Sequence, residues 1–309
     1  MIPPRLRIGT RGSRLALAQT ELVRQALACA HSELAAPGAL EVVTIRTTGD
    51  LLTDRPLAEL GGKGLFCKEI EAALLARRID CAVHSIKDLP TWLPGGLVVG
   101  AVLERADPRD VLIGRPPAVI AELPQAALIG TSSVRRKAQL LARRADLRVV
   151  DFRGNVDTRL RTLAAGDVDA TLLALAGLRR LGIEDAGMVV LTPDEMLPAV
   201  GQGAIGIECR ADDAATLALL AAIDHPASAV CVRAERALLA ALDGSCHTPI
   251  AGHAEIVAAG RLHLRALVAR PDGSECLRTE RAGLPGDAER LGEDAGAELR
   301  ARAGPAFFD

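Results

Sequence analysis

The sequence predicts an α/β protein made of two similar lobes, followed by a small α+β domain. Three observations carry this. From the start to about residue 210, short apolar runs alternate with helical patterns. After about residue 225 a helix gives way to apparent antiparallel strands. Finally, Ile8-Gly9-Thr10-Arg11-Gly12-Ser13-Arg14 is echoed by Ile129-Gly130-Thr131-Ser132-Ser133-Val134-Arg135. Both segments are apolar strands running through Gly-Thr into a hydroxyl-bearing, Arg-containing helix start, where free N–H groups offer a ready anion site. The echo suggests two like lobes facing each other across a cleft.

Strands are expected at 6–9, 40–46, 81–83, 97–102, 127–130, 148–152, 170–174, 188–191 and 204–208. Helical patterns lie between them, as at 13–30, 65–77, 134–144 and 157–165, and the alternation argues parallel sheets. His225-Pro226 breaks the pattern. A helix is expected at 228–242, then strands at 254–258, 262–269 and 275–280, with Ala259-Gly260 and Asp272-Gly273 supplying the turns. A polar helix from Asp287 closes the chain.

Composition bounds the function. Lys+Arg number 37 against 39 Asp+Glu, so no global field favours nucleic acid or an anionic membrane. Aromatics are 2 % of the chain, too few for a base-stacking platform. Lys63, Lys68, Lys87 and Lys137 are the only lysines; every other basic residue among the 37 is arginine. Coding bias explains such a skew, and so does recognition of carboxylates or phosphates by guanidinium forks; composition does not separate them. The seven cysteines are scattered, with no zinc-ligand spacing, so neither a disulfide framework nor a metal is expected. No run approaches membrane-spanning length, and the N-terminus lacks an apolar signal core. The expectation is a soluble, reduced, cytoplasmic protein.

Three constellations could carry chemistry. The first is Val83-His84-Ser85-Ile86-Lys87-Asp88-Leu89-Pro90, directly after a buried-looking strand, where α/β ligand sites form. Asp88 beside Lys87 is either a tunable proton-transfer group or a solvated surface pair. The second joins 130–136 to 153–159: Arg135, Arg136, Arg153 and Arg159 at two strand-to-helix junctions, with Arg11 at a third. These arginines predict a ligand bearing several carboxylates or phosphates, but the absence of GxxxxGK[ST] excludes a nucleotide P-loop. The third is Glu235-Arg236 running into Asp243-Gly244-Ser245-Cys246-His247-Thr248-Pro249-Ile250. A cysteine on a Gly/Ser loop is either an inert turn residue or a reactive thiol. Adjacent Cys and His side chains point apart, which disfavours a thiol hydrolase.

Taken in order, IGTRGSRLALAQ (8–19), GGKGLF (61–66), AVHSIKDLP (82–90), ERADPRD (104–110), GTSSVRR (130–136), RGNVDTRL (153–160), LALAGLRRLG (173–182), LPAVGQGAIGIECR (197–210) and ERALLAALDGSCHTPI (235–250) resemble the porphobilinogen deaminase, or hydroxymethylbilane synthase, family. The resemblance covers about residues 7 to 280. It implies two periplasmic-binding-protein-like (type II) lobes and a small C-terminal α+β domain. Lobe 1 would comprise residues 1–103 with 200–221, lobe 2 residues 104–199, and the cofactor-cysteine domain residues 222–309.

The resemblance also implies a transferase that joins four porphobilinogen molecules into linear hydroxymethylbilane, releasing four ammonia, in tetrapyrrole and haem biosynthesis. Its dipyrromethane cofactor would be held by a thioether to Cys246. Asp88 would be the catalytic carboxylate, helping to protonate the departing amine, stabilising the cationic azafulvene-like intermediate and assisting ring-proton loss. Cofactor-binding positions map onto Ser85, Lys87, Asp88, Thr131, Ser133, Arg135 and Arg136; substrate-side positions map onto Arg11, Gln19, Phe66, Arg153, Arg159 and Arg180. Phe66 matches a ring that stacks on a pyrrole, and Lys63 lies in the loop beside it. Both lobes and the 52–66 loop would shift as the chain lengthens. Ala18, Ser245 and His247 depart from common family residues without removing a mechanistic group. The expected partners are porphobilinogen and, for the product, uroporphyrinogen III synthase, with no nucleic acid, membrane or metal and a monomeric state. A two-lobe binding or sensor protein without catalysis is the alternative; it has no use for Cys246 or Asp88.

Overall fold

A computed structural model describes residues 5–51, 64, 66–114, 119–184, 187–244, 248–305 and 307. The first stretch contains β1 (Leu6–Thr10), α1 (Arg14–Ala30), β2 (Leu40–Thr44), α2 (Thr48–Leu51), α3 (Lys68–Leu75), β3 (Cys81–Ser85) and β4 (Leu97–Val102). Next come β5 (Asp110–Gly114), β6 (Leu128–Gly130), α4 (Val134–Arg143), β7 (Arg148–Val150), α5 (Val156–Ala164), β8 (Ala170–Ala174), α6 (Leu175–Arg180) and β9 (Met188–Val190). The remainder is β10 (Ile205–Arg210), α7 (Ala214–Ala221), α8 (Pro226–Ala241), β11 (Ile250–Val257), β12 (Arg261–Ala269), β13 (Cys276–Gly283) and α9 (Ala288–Ala303). The chain divides into two compact units, Met1–Ala106 with Ala204–Val230, and Asp107–Gly203 with Cys231–Asp309.

The first unit is a five-stranded sheet in the order β2-β1-β3-β10-β4; the second contains one in the order β7-β6-β8-β5-β9. The two orders are the same. In each, the first strand of the αβ run lies between the second and third, and the fourth position is filled by a strand from elsewhere in the chain. That strand, β10 in one sheet and β5 in the other, runs antiparallel to both neighbours. The sheets are therefore mixed, which corrects the expectation of parallel sheets. β5 is also the one strand the sequence reading omits: it is a short apolar run opening on a charged Asp110, and that aspartate is buried.

Local sequence explains the helix starts. Ser13 accepts from the Ala16 N–H and Ser133 from the Arg136 N–H, so both echoed segments end in a serine N-cap. They also occupy equivalent strands, β1 and β6. Beneath α1, Val23 and Leu27 pack on Leu6, Ile8, Cys81, Val83, Ile205 and Ile207. The opposite face of that sheet packs Ala82, Ile79 and Leu97 against Ile70, Ala73 and Leu74 of α3.

Within the second unit β11, β12 and β13 form an antiparallel sheet, with β11 starting four residues before its expected position. Ala259 and Gly260 both take positive φ, 61° and 68°, the geometry of a tight primed hairpin turn. Ala138 of α4 packs against Ala251, Leu267 and Ala269 of this sheet, so α4 is buried on two sides. On α9 a Cβ at Gly292 would lie 2.1 Å from the Ala234 carbonyl oxygen, which lets α9 sit directly on the backbone of α8.

Candidate active site

In the first unit, the ends of β1 and β3 open onto a small cleft, the place where α/β folds form ligand sites. Arg11, Ser13 and Gln19 line it from the β1–α1 side, Ser85 and Asp88 from the end of β3, and Phe66 and Cys67 from the start of α3. Gln19 is buried, and its Nε2 donates to Ser85 Oγ at 2.8 Å. Arg11 forks onto Asp50, with Nε 3.1 Å from Oδ1, and its guanidinium lies 4.0 Å above the centre of the Phe66 ring.

Asp88 ends the 3₁₀ turn Ile86–Asp88, and its side chain is exposed. The turn is held by groups other than its carboxylate. Ile86 N–H donates to Ala204 O at 3.1 Å, Leu89 N–H donates to Ile86 O at 3.1 Å, and the Cys67 thiol donates to the Asp88 carbonyl at 3.6 Å. Ile86 fits over Gly206, where a Cβ would stand 2.2 Å from its Cδ1. The carboxylate is thus presented to the cleft on a fixed turn while remaining free to meet a ligand.

A polar cluster without a role in the sequence motifs begins at Cys67 and His84 of the cleft lining and continues inward to Glu208. His84 Nε2 meets Glu208 Oε2 at 3.0 Å, both buried, and Cys67 Sγ is 3.9 Å from His84 Nδ1. Burial, then the nearby Glu208 charge, pushes the Glu71 carboxyl up to about 6. Because this acid is stabilised in its protonated form, its contribution to folding is complete below the ordinary glutamate value and is lost as pH rises through about 6. Glu71→Gln is therefore expected to raise the melting temperature above pH 7, with a gain of up to about 2 kcal/mol, and to make no difference near pH 4. Thermal melts of both proteins across that range check it; an equal gain at pH 4 would show that Glu71 is not protonated by its surroundings.

In the second unit, Thr131 and Ser133 stand at the β6–α4 junction. Thr131 Oγ1 accepts from the Ser133 N–H at 3.2 Å. Arg135 and Arg136, 5 % and 6 % exposed, close on the fully buried Asp110 at 2.8 and 2.7 Å. Burial alone would raise the Asp110 carboxyl, but the two guanidiniums win and hold it well below the usual carboxylate range. Arg135 also donates to Leu197 O and Arg136 to Leu172 O. This pair therefore offers a ligand one net positive charge and a rigid helix N-terminus.

Arg159 and Arg180 behave differently. Burial, then the neighbouring Arg136 and Arg153, pushes Arg159 down to about 10; burial does the same to Arg180. Both remain cations at neutral pH. Arg159 Nε donates to Gly154 O and Arg180 Nη2 to Gly203 O, and among the described residues neither has a carboxylate partner. Half-buried guanidiniums without a carboxylate partner among the described residues suit a ligand's anions. Cys246 and Lys63 lie outside the described residues. The other site residues expected from the sequence fall into two sets. Arg11, Gln19, Phe66, Ser85, Lys87 and Asp88 are in the first unit; Thr131, Ser133, Arg135, Arg136, Arg153, Arg159 and Arg180 are in the second.

Comparison with known proteins gives these cations a context. Residues 6–218 match the family model described as "Porphobilinogen deaminase, dipyromethane cofactor binding domain", and residues 229–301 match "Porphobilinogen deaminase, C-terminal domain". The chain is 56 % identical over 304 residues to a porphobilinogen deaminase of Paracoccus denitrificans, covering 98 % of this chain and 96 % of that one. It is 52 % identical to the chloroplastic porphobilinogen deaminase of Oryza sativa, covering 98 % and 86 %. The chain belongs to the porphobilinogen deaminase family. Among solved structures it is similar to the periplasmic aliphatic sulphonate binding protein SsuA from Escherichia coli, with TM-score 0.41, 16 % identity and coverage of 78 % and 71 %, a likeness that carries nothing about ligand.

Family membership makes the chain a transferase that builds hydroxymethylbilane from porphobilinogen in tetrapyrrole biosynthesis, with a dipyrromethane cofactor. A binding protein without catalysis is not favoured. The donor set fits such a group: carboxylate-bearing pyrroles need cations and N–H acceptors. Among the described residues both kinds are present, each within its own unit: Arg135 and Arg136 as cations in the second, and the exposed Asp88 carboxylate in the first.

Proposed function

We propose that Asp88 is the catalytic carboxylate and that the arginines of the two units hold the side-chain carboxylates of the pyrroles. The observation that carries this is the Asp88 turn, fixed by its backbone and by Ile86, which leaves an acidic side chain free beside a cation, a hydroxyl and an amide. The dipyrromethane, when bound, supplies the pyrrole terminus to which the first substrate is joined. Asp88 in its protonated form lends a proton to the amine of porphobilinogen as the C–N bond breaks and the electron pair leaves with nitrogen as ammonia. The carboxylate left behind accepts the pyrrole N–H and stabilises the positive charge developing on the methylene-bearing ring. After the new C–C bond forms, the same carboxylate takes up the ring proton, which restores it for the next unit.

Arg11, Gln19, Phe66, Arg153, Arg159 and Arg180 are assigned to substrate, and Ser85, Lys87, Thr131, Ser133, Arg135 and Arg136 to cofactor. Cys246 is assigned the thioether, presented by a C-terminal domain over residues 222–309, with 1–103 and 200–221 as one lobe and 104–199 as the other. The protein works as a cytoplasmic monomer that passes its product to uroporphyrinogen III synthase. The exposed, unpaired Cys29 suits a reducing compartment.

Intact-mass measurement tests the reading most directly. The purified protein is expected to carry an adduct of two pyrrole units that is absent from Cys246→Ser, and that variant is expected to release no ammonia from porphobilinogen. An unmodified wild-type protein that still turns over porphobilinogen would overturn the assignment.

A further inference from the structure

The Arg11 guanidinium is held on two sides, by Asp50, to which the sequence motifs give no role, and by Phe66, for which the resemblance implies only stacking on a pyrrole. Along one edge, Nε and Nη2 lie 3.1 and 2.5 Å from Asp50 Oδ1. Asp50 is itself anchored, because Thr47 Oγ1 donates to Oδ2 at 2.8 Å and the Thr47 N–H does so at 3.3 Å. On one face the guanidinium rests on Phe66, 4.0 Å from the ring centre. That ring is seated by a glycine: a Cβ at Gly49 would stand 2.2, 2.4 and 2.9 Å from Cε1, Cδ1 and Cζ of Phe66. The third nitrogen, Nη1, makes no hydrogen bond among the described residues. Among those lining the cleft, Arg11 carries the only guanidinium or ammonium group.

A guanidinium free to rotate about its four side-chain torsions spends most of its time mis-aimed, and fixing it before binding removes that cost from the ligand. We infer that Gly49, Asp50 and Phe66 form a clamp that aims Arg11 Nη1 at a carboxylate of the incoming pyrrole, with Asp50 and Gly49 as positioning residues that act only through Arg11. This rests on the reading that Arg11 binds substrate. Each member of the clamp has its own task. Asp50 fixes the edge, Phe66 fixes the plane, and the missing Cβ of Gly49 keeps Phe66 where the plane requires it. The clamp also gives Phe66 a task in the ligand-free protein distinct from stacking on a pyrrole. Because Asp50 takes the Nε–Nη2 edge, a ligand carboxylate meets the remaining edge without displacing it.

The test uses the holoenzyme and porphobilinogen. Asp50→Asn and Gly49→Ala are each expected to raise KM about tenfold while kcat stays within about twofold, since the chemistry at Asp88 is untouched. The rise in melting temperature produced by saturating porphobilinogen in wild type should shrink in both variants, a readout independent of turnover. Decisively, Asp50→Asn placed in an Arg11→Lys background should add almost nothing to the KM of Arg11→Lys alone. Additive effects would overturn the clamp, as would a KM unchanged or lowered in Asp50→Asn. If Arg11→Lys alone left KM unchanged, it is the assignment of Arg11 to substrate that fails. Loss of melting temperature without porphobilinogen, at constant KM, would mark Asp50 as a stabilising residue only and would also overturn the inference.

Discussion

Asp88→Asn is expected to lower kcat about a hundred- to ten-thousand-fold while leaving the melting temperature within about 2 °C of wild type. The separation follows from how the turn is built. Ile86 N–H, Leu89 N–H and the Cys67 thiol hold the main chain, and Ile86 packs over Gly206; the exposed Asp88 carboxylate takes no part in those contacts. Asparagine keeps the shape and one acceptor oxygen. It loses the negative charge that steadies a developing cation, and it loses the titratable proton needed at both ends of each cycle. KM should move only a few-fold, because Arg11, Gln19 and the second-unit arginines are unchanged. Ammonia release within tenfold of wild type, from a protein that melts normally, would remove Asp88 from the chemistry.

Legibility in the sequence depended on how local each interaction is. The two serine N-caps were readable because cap and recipient lie three residues apart, and the strand–Gly-Thr–Ser pattern names both at once. The positions of β4 and β8 match the expected ranges to the residue, and a glycine-containing polar turn precedes each apolar run, at Gly95-Gly96 and at Gly166-Asp167. Interactions across the fold left no such mark. Asp50 reaches Arg11 from 39 residues away, Asp110 reaches Arg136 from 26, and Glu208 reaches His84 from 124. Asp50 sits on the short helix α2, and Asp110 and Glu208 sit on β5 and β10; nothing local in those segments names a partner so distant, so only the folded chain reveals it. One signal was available. A lone acid in an apolar strand, as at Glu208 in Ile205–Arg210 or at the head of Asp110–Gly114, needs a compensating group. Arg135 and Arg136 read in the sequence as ligand groups alone, yet Asp110 offsets one of their two charges. Arg159 and Arg180, which look no different as letters, are cations left without a carboxylate among the described residues.

That contrast makes Asp110 the residue on which the second unit depends most. Asp110→Asn is expected to destabilise the protein by about 3–5 kcal/mol, because it leaves two buried guanidiniums facing each other without counter-charge. The loss should lower the melting temperature of the second unit by on the order of 10 °C. Asparagine can still accept from Arg136, so the effect isolates charge from shape. Gln202 Nε2, which donates to Asp110 Oδ1 at 3.0 Å, keeps an acceptor there too. The sign with pH is fixed by the depressed carboxyl: its stabilisation is present above the ordinary aspartate value and fades only as pH falls toward the much lower folded value. The gap between wild type and variant should therefore be constant from pH 8 to about 4 and narrow below that. Adding Arg136→Met to Asp110→Asn should recover some of the loss, since one uncompensated charge is removed with its partner, and a double-mutant cycle over the two sites should show coupling well above about 1 kcal/mol. A loss below about 1 kcal/mol, or additive effects in the cycle, would mean that water rather than Asp110 neutralises the pair. Urea unfolding of the four proteins at pH 7 decides between these outcomes, because the charge at Asp110 differs between them while the fold of α4 against its two sheets does not.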